Sequence, residues 1–314
     1  MRTGSTKRRS FIVVHTTTIV FLCSWCCCCC LSETTKTKSA GGDPHRELVP
    51  KDEDILVPAT DERLEGDDSM ITSQTKVLTP LYVYPDTNRG ETSVYRRVAA
   101  SKIPQIVILN PNNGREARRR PNAAWRKATD VLRGEGSSVE KILGYVHVRW
   151  LREGGRTLTD IKNNVDQYAK NGWGVDGIFF DESPASTEKI AELRELAEHV
   201  KVALGHDALV VLNPGTHVPD AFFQFADVVV VFEDFHTQWG SFDLKRYAAN
   251  VRNNPARPFA VIVRDVPDDA LSETYETAIR RGAGYVFLGR EGAQFHKPGC
   301  FFFEAMQVPS ACPP

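Results

Sequence analysis

Two acidic clusters follow runs of apolar residues, and their residue types are well suited to chemistry. Asp181 and Glu182 end the run "VDGIFFDE", and Glu233 ends "DVVVVFE". Carboxyl groups held at the end of buried strands often have perturbed pKa values, and such groups concentrate at active sites. A pair of carboxyl groups is the usual machinery for cleaving a glycosidic bond. The two clusters therefore favour a glycosidase.

Asp181 and Glu182 also have a structural explanation. Ser183 and Pro184 follow them and predict the start of a helix, whose dipole an acidic side chain would complement. Consecutive strand residues point to opposite faces, so only one of the two carboxylates enters a site unless the chain turns at once. The sequence leaves open which of the two does so.

Glu233 lies between Phe232 and Phe235. These aromatic neighbours predict a desolvated carboxyl group with a raised pKa, which suits a general acid. The alternative is that Glu233 is only the solvated end of a strand.

Eight short apolar runs predict the strands that position these carboxylates. Most are continuously hydrophobic, which is typical of parallel strands buried on both faces. The runs are "KVLTPLYVY" (76–84), "QIVILN" (105–110), "KILGYVHV" (141–148), "VDGIFFDE" (175–182), "ALVVLN" (208–213), "DVVVVFE" (227–233), "PFAVIV" (258–263) and "GYVFLG" (284–289). Pro80 interrupts the first run and predicts a bulge there.

Amphipathic segments between these runs predict helices. One apolar face runs from Leu158 to Tyr168 and another from Ile190 to Leu204, and a third helix is expected over Asp268 to Arg281. Each is followed by a glycine that can end it. Eight strands alternating with helices predict a single α/β domain, a (β/α)8 TIM-type barrel. A doubly wound open sheet is the alternative, but the glycine-rich fingerprint common after its first strand is absent.

Active sites of such barrels lie at the carboxyl ends of the strands. The polar and aromatic residues expected there to bind substrate are Tyr82, Tyr84, Asn110, His147, Asn213, Trp239 and Arg264. Side chains converging from strands four and six can bring their carboxyl groups to about 5–6 Å, near the spacing of a retaining glycosidase, although an inverting spacing of about 6.5–9.5 Å stays open. No strand ends in a lysine and the histidines lack ligand spacing, so no cofactor or metal is expected.

The termini predict export. Basic residues precede an uncharged segment, Phe11–Leu31, so residues 1–32 are expected to be a signal peptide or a signal anchor. Residues 33–73 are predicted to be a disordered acidic linker, and residues 74–314 the barrel domain. The protein is expected to be secreted, or membrane-anchored through residues 11–31 with the barrel outside.

Cysteine usage and charge narrow the partners further. Six of the eight cysteines lie in or beside the apolar segment, as small hydrophobes or as a palmitoylation cluster. Cys300 and Cys312 predict one disulfide in an oxidising compartment. The net charge of -1 gives no reason to expect nucleic acid as a partner. A polysaccharide substrate is expected, and the protein is expected to be a monomer.

Six blocks of sequence resemble the spherulin-4 family. They are "PLYVYP", "VILNPNNG", "ILGYVHV", "DGIFFDESP", "VVLNPGT" and "ADVVVVFE", in this order between residues 76 and 289. The resemblance implies a (β/α)8 barrel and the activity of characterised fungal members, which is retaining endo-cleavage of an α-1,4-linked, N-acetylgalactosamine-containing polysaccharide such as galactosaminogalactan. It also fits an N-terminal membrane tether.

The resemblance implies that Asp181 and Glu182 are the family's acidic pair after strand four and that Glu233 is its glutamate after strand six. We expect Asp181 to attack the sugar, Glu233 to serve as acid and base, and Glu182 to orient the substrate or tune Asp181. The alternative is a non-catalytic cell-wall or spore-associated carbohydrate-binding protein on the same fold. A carboxyl separation well over about 10 Å would favour that alternative.

Overall fold

The described residues, 75–85, 92–243 and 258–290 of a computed structural model, form a closed barrel of eight parallel strands. Each strand pairs with the next along the chain, and the eighth pairs with the first at Lys76 and Val77. The predicted barrel is confirmed, with one strand in each apolar run. The strands are β1 (Lys76–Leu81), β2 (Gln105–Leu109), β3 (Val139–His147), β4 (Gly177–Asp181), β5 (Leu209–Asn213), β6 (Val228–Phe235), β7 (Phe259–Val266) and β8 (Tyr285–Arg290).

Helices follow most of the described strands. They are α1 (Thr92–Ala99), α2 (Ala123–Leu132), α3 (Leu158–Lys170), α4 (Ile190–Leu204), α5 (His236–Trp239) and α6 (Leu271–Arg280). The predicted apolar faces are buried, as in α3 with Ile161, Val165 and Tyr168. At the start of α3, Thr157 and Asp160 cap each other's backbone N–H groups, which satisfies donors left free at a helix start.

The expected helix start at Ser183 and Pro184 is wrong. After β4 the first helical residues are the short 3-10 segment Thr187–Lys189, and α4 begins only at Ile190. The Ser183 hydroxyl instead donates to the carbonyl of Phe180 at 2.8 Å and its N–H donates to the carbonyl of Asn213 at 3.0 Å. This segment therefore crosses over to β5 before a helix forms.

The core has two layers that follow the alternation of strand side chains. Phe179, Tyr145 and Val211 belong to a cluster that fills the barrel lumen. Their neighbours Phe180 and Val146 belong to a larger outer cluster against the helices. Because each strand has an apolar environment on both faces, its sequence is a continuous hydrophobic run.

The expected bulge at Pro80 is also wrong. Pro80 pairs in regular register with Ile108 of β2. On the other side, β1 pairs with β8 only at Lys76 and Val77, below the proline. The missing N–H of Pro80 is therefore not needed by a ladder, so the strand stays regular.

The predicted signal or anchor (1–32), linker (33–73) and disulfide of Cys300 and Cys312 lie outside the described residues and stay predictions. Within the described ranges, none of the helices has the length and apolar character that crossing a bilayer requires.

Gly177→Ala tests how tightly β4 approaches β5. A Cβ at Gly177 would lie 2.2 Å from the carbonyl oxygen of Leu209, which is fixed backbone. We expect the free energy of unfolding to fall by about 3 kcal/mol, seen as a melting temperature lower by roughly 10 °C in calorimetry. Gly240→Ala is the control, because a Cβ there meets nothing within 4 Å. Equal melting temperatures for the two variants would contradict this packing.

Candidate active site

Asp181 points into the mouth of the barrel from the end of β4. Phe179, two residues earlier, lies in the lumenal cluster, while Phe180 lies in the outer cluster. The Tyr145 hydroxyl donates to Asp181 Oδ2 at 2.5 Å, and Asn213 Nδ2 donates to Asp181 Oδ1 at 2.8 Å. The neighbouring strands β3 and β5 therefore fix both oxygens of this carboxylate.

Glu233 reaches the same place because β6 is irregular. Val228 and Val230 face the lumen and Val229 and Val231 face outward, so strict alternation would send Glu233 outward. The register with β7 shifts between Val230 and Phe232. The extra residue of this bulge reverses the alternation, and Glu233 then pairs with Ile262, a residue of the lumenal cluster.

A single amide joins the two carboxyl groups. Asn213 Nδ2 donates to Asp181 Oδ1 at 2.8 Å and to Glu233 Oε2 at 2.5 Å. These two oxygens therefore lie no more than about 5.3 Å apart, which is below the roughly 6.5–9.5 Å of inverting glycosidases and compatible with the roughly 5–5.5 Å of retaining ones. Asn213 itself is 5% exposed, so the bridge is largely shielded from water.

Burial raises the pKa values of both carboxyl groups, and the charge of a neighbouring carboxylate adds to each rise. The pKa of Glu233 is raised to about 7, first by burial and then by the charge of Asp181. Burial also raises the pKa of Asp181, but hydrogen bonds from Tyr145, Asn213 and the Glu182 N–H oppose this shift. Those bonds stabilise the charged form of Asp181 and so limit the rise in its pKa.

The expected causes of these shifts need correction. Phe232 packs outward against Trp239, with ring centroids 5.3 Å apart, and Phe235 is 45% exposed. They do not enclose the Glu233 carboxyl, whose burial comes from the barrel mouth. The helix start expected to favour charged Asp181 is also missing, and the three hydrogen bonds act in its place.

Glu182 lies beside Asp181 because the chain turns immediately after the strand. Its φ of 53° places it in the left-handed region, which interrupts the strand alternation. Glu182 Oε2 lies 2.6 Å from His147 Nε2, and its carbonyl accepts from the N–H of Trp150 at 2.6 Å. Asp181 thus takes the lumenal position, and Glu182 joins His147 at the rim of β3.

Tyr145 is a site residue that the sequence reasoning missed. It lies inside the apolar run of β3, two residues before His147, so both face the lumen. Burial, followed by the charge of Asp181, raises the pKa of the Tyr145 hydroxyl. The hydroxyl therefore stays protonated and donates. The sequence did contain a signal for it, because Tyr145 is a tyrosine two residues before His147 and so faces the same side of the strand.

Two of the other residues expected at the mouth, Tyr82 and Arg264, lie near its carboxylates, whereas the contact of Asn110 is with a neighbouring loop residue. The Tyr82 ring packs edge-on against Tyr145 with centroids 5.5 Å apart, and the charge of Asp181 adds to burial in raising the pKa of its hydroxyl. Arg264 lowers the pKa of Glu233 by its positive charge. Asn110 donates to Asn113 Oδ1 at 3.2 Å, while its own Oδ1 is buried without a partner among the described residues.

Two residues expected to bind substrate lie elsewhere. Trp239 is 5% exposed in the outer cluster, because α5 carries it to the outside of β6. Tyr84 packs edge-on against Trp125, with centroids 5.7 Å apart, and its hydroxyl accepts from Asn122 Nδ2 at 2.8 Å. Its contacts are with the start of α2 and not with the carboxylates.

Comparisons with known proteins identify the family of this chain. The family model described as Spherulation-specific family 4 matches residues 76–306. Spherulin-4 of Physarum polycephalum is 31% identical over 159 residues, which cover 51% of this chain and 45% of that relative's length. The chain thus spans under half of that curated relative.

A solved structure supports the same fold. The crystal structure of Aspergillus clavatus Sph3 in complex with GalNAc superposes with a TM-score of 0.57 at 25% identity. The match covers 71% of this chain and 95% of Sph3. The family resemblance expected from the six sequence blocks is therefore confirmed.

The titration of Glu233 tests the electrostatics of the pair. We expect its carboxyl resonance in NMR spectra to titrate with a midpoint near pH 7. Asp181→Asn removes a neighbouring negative charge that raises the pKa of Glu233, so the midpoint should move to lower pH. Asp269→Asn, at an exposed position, should leave it unchanged. A Glu233 midpoint near pH 4.5 in the parent protein would contradict the coupled pair.

Proposed function

Since the chain belongs to spherulation-specific family 4, we propose that it is a retaining glycoside hydrolase acting within N-acetylgalactosamine-containing polysaccharides. The observation that carries this proposal is the Asn213 amide shared by Asp181 and Glu233. It supports a carboxyl spacing suited to direct attack on the sugar, with no room for the intervening water that inversion needs. The match to Sph3, whose structure contains GalNAc, supports the substrate class.

In the first step, an Asp181 oxygen attacks the anomeric carbon while Glu233 gives its proton to the glycosidic oxygen. The leaving chain departs as an alcohol and the sugar becomes an ester of Asp181. The charge of Asp181 is lost in this step, and Glu233 gains one. The repulsion that raised the pKa of Glu233 is thereby relieved, so its carboxylate can next act as a base.

In the second step, Glu233 takes a proton from water, whose oxygen attacks the anomeric carbon and displaces Asp181. Both carboxyl groups return to their starting protonation states, and two inversions give net retention. The Asn213 amide can donate to both groups in both steps. Asn213 is therefore proposed to stabilise whichever of the two carboxyl groups is negatively charged.

Glu182 and His147 are proposed to bind substrate beside the reacting sugar. Their side chains lie 2.6 Å apart and are each about one-fifth exposed, so a sugar hydroxyl can reach them. Trp150 and Phe235 are exposed at the same end of the barrel, at 39% and 45%. Such rings can stack on sugar faces, which supports an endo-acting groove over a closed pocket.

The proposal also includes export of the protein and the boundaries of its segments. We propose residues 1–32 as signal or anchor, residues 33–73 as linker and residues 74–314 as an extracellular, monomeric catalytic domain. The non-catalytic alternative is a carbohydrate-binding protein that uses the same mouth. It gives no reason for a buried glutamate whose pKa is raised to about 7 beside a second carboxyl group, whereas acid catalysis near neutrality does.

Three variants separate the proposed roles. Asp181→Asn should lower turnover of galactosaminogalactan by about 10³-fold or more, because the nucleophile is lost. Glu233→Gln should lose most activity on the polysaccharide but much less on aryl glycosides, whose leaving group needs no proton. Glu182→Gln should cost less than Asp181→Asn. Mass spectrometry of the released oligosaccharides gives the rates.

Other results would change the roles assigned to these carboxyl groups. If Asp181→Asn keeps parental activity while Glu182→Gln is inactive, Glu182 is the nucleophile. If all three variants cleave as the parent does, the site lies elsewhere. Retained binding of glycan by a parent protein that cleaves none would favour the carbohydrate-binding alternative.

The pH profile tests the protonation states. Glu233 must be protonated in the first step, so kcat/KM should fall as the pH rises through about 7. Asp181 must be ionised, so kcat/KM should also fall on the acidic side. Tyr145→Phe removes a hydrogen bond that favours the ionised form of Asp181, which raises its pKa and moves the acidic limb to higher pH.

Tyr84→Phe is the matched control, because that hydroxyl bonds Asn122 and no carboxylate. A Tyr145→Phe profile that coincides with that of Tyr84→Phe would contradict the role of Tyr145.

A further inference from the structure

A cleft of about 490 Å³ lies beside the proposed catalytic residues. Its walls come from the loop after β2, the loop after β3 and the first turns of α3. His147 belongs to its lining and is also the partner of Glu182 at 2.6 Å. The cleft therefore opens directly from the edge of the proposed active site.

The lining of this cleft is strongly basic. Four arginines, Arg115, Arg118, Arg149 and Arg156, face a single acidic residue, Asp160. The Asp160 carboxylate is already held by the hydroxyl of Thr157 at 2.7 Å and by its N–H at 3.1 Å. Much of the positive charge in the cleft is thus uncompensated.

Arg156 has a structural task that the other three arginines lack. It donates to the carbonyl of His147 at 2.7 Å and to the carbonyl of Asp160 at 2.9 Å, so it ties the loop after β3 to α3. Arg115, Arg118 and Arg149 are exposed, and within the described ranges their side chains have no ion pair or hydrogen bond. These three guanidinium groups are available to a ligand.

The two loops that carry Arg115 and Arg149 adopt unusual backbone conformations. Asn112, Asn113 and Gly114 have φ values of 53°, 53° and 75°, and the segment 149–151 has φ values of 52°, 55° and 50°. A Cβ at Gly114 would lie 2.7 Å from the carbonyl oxygen of Tyr145, which keeps this loop close to β3. Consecutive left-handed residues are unfavourable, and such conformations concentrate at ligand-binding sites.

From this cluster we infer that the cleft is a subsite for an anionic group on the glycan, either the carboxylate of a uronic acid or a sulfate ester. Guanidinium groups present paired donors that match both kinds of oxyanion. The inference rests on the proposed function in that the anion belongs to the chain whose neighbouring sugar enters the barrel mouth. A cationic, deacetylated aminosugar would be repelled at this position.

Binding of defined oligosaccharides to the full chain tests this subsite. Isothermal titration calorimetry would compare an oligogalacturonate, a sulfated galactan oligosaccharide and a neutral galactan oligosaccharide of equal length. We expect the parent protein to bind one acidic probe about tenfold tighter than the neutral probe, and Arg115→Gln/Arg149→Gln to abolish that preference. Whether the carboxylate or the sulfate probe binds tighter identifies the anion.

Arg96→Gln is the matched control. It removes the same charge from the last turn of α1, which lies at the opposite end of the barrel, since Ser138 at the start of β3 donates to the carbonyl of Ala99. We expect it to retain the preference for the acidic probe. Arg118→Gln serves as a second cleft variant if the double variant fails to fold, and it should weaken the acidic probe alone.

Equal affinity of the parent for acidic and neutral probes would overturn the inference, as would equal losses in Arg96→Gln and the cleft variants. Hydrolysis plays no part in this measurement. A parent protein that binds the acidic probe through its cleft arginines but cleaves no glycan would therefore contradict the proposed function and still support the anionic subsite.

Discussion

One amide nitrogen, Asn213 Nδ2, determines how the barrel mouth is organised. It donates to Asp181 at 2.8 Å and to Glu233 at 2.5 Å, so strands β4 and β6 must deliver their carboxyl groups to the same side of β5. Two carboxylates so close together and so poorly hydrated cannot both ionise easily. The proposed retaining hydrolysis needs this difference, because one carboxyl group must be ionised and the other protonated.

Local departures from regular strand geometry make this convergence possible. The bulge between Val230 and Phe232 turns Glu233 inward, and the left-handed Glu182 ends β4 so that two consecutive carboxylates serve one site. A regular barrel would point alternate residues away from the lumen. Bulges and left-handed non-glycine residues are unfavourable by themselves. Their occurrence at this end of the strands supports a functional site there.

The centre of the barrel mouth and the cleft beside it carry opposite charge. Asp181, Glu182 and Glu233 make its centre acidic, while the cleft beyond His147 carries Arg115 and Arg149. Positive charge at this distance can orient an acidic chain without neutralising the catalytic pair, because solvent screens exposed charges. A glycan lying across both regions would meet complementary charge in the cleft and proton donors at the bond to be cleaved. The roles proposed for the two regions, in binding and in chemistry, can thus be tested separately.

The sequence by itself determined the eight strands, the helices between them and the family, because apolar runs and amphipathic faces report burial directly. It also placed Asp181, Glu182 and Glu233 at strand ends. Only the tertiary structure decided which carboxyl groups meet, since the β6 bulge and the φ of Glu182 depend on pairing with neighbouring strands. The same holds for Tyr145 and Trp239, which exchanged their expected places between mouth and core. A side chain's face is set by register and packing across strands far apart in sequence, which local composition does not encode.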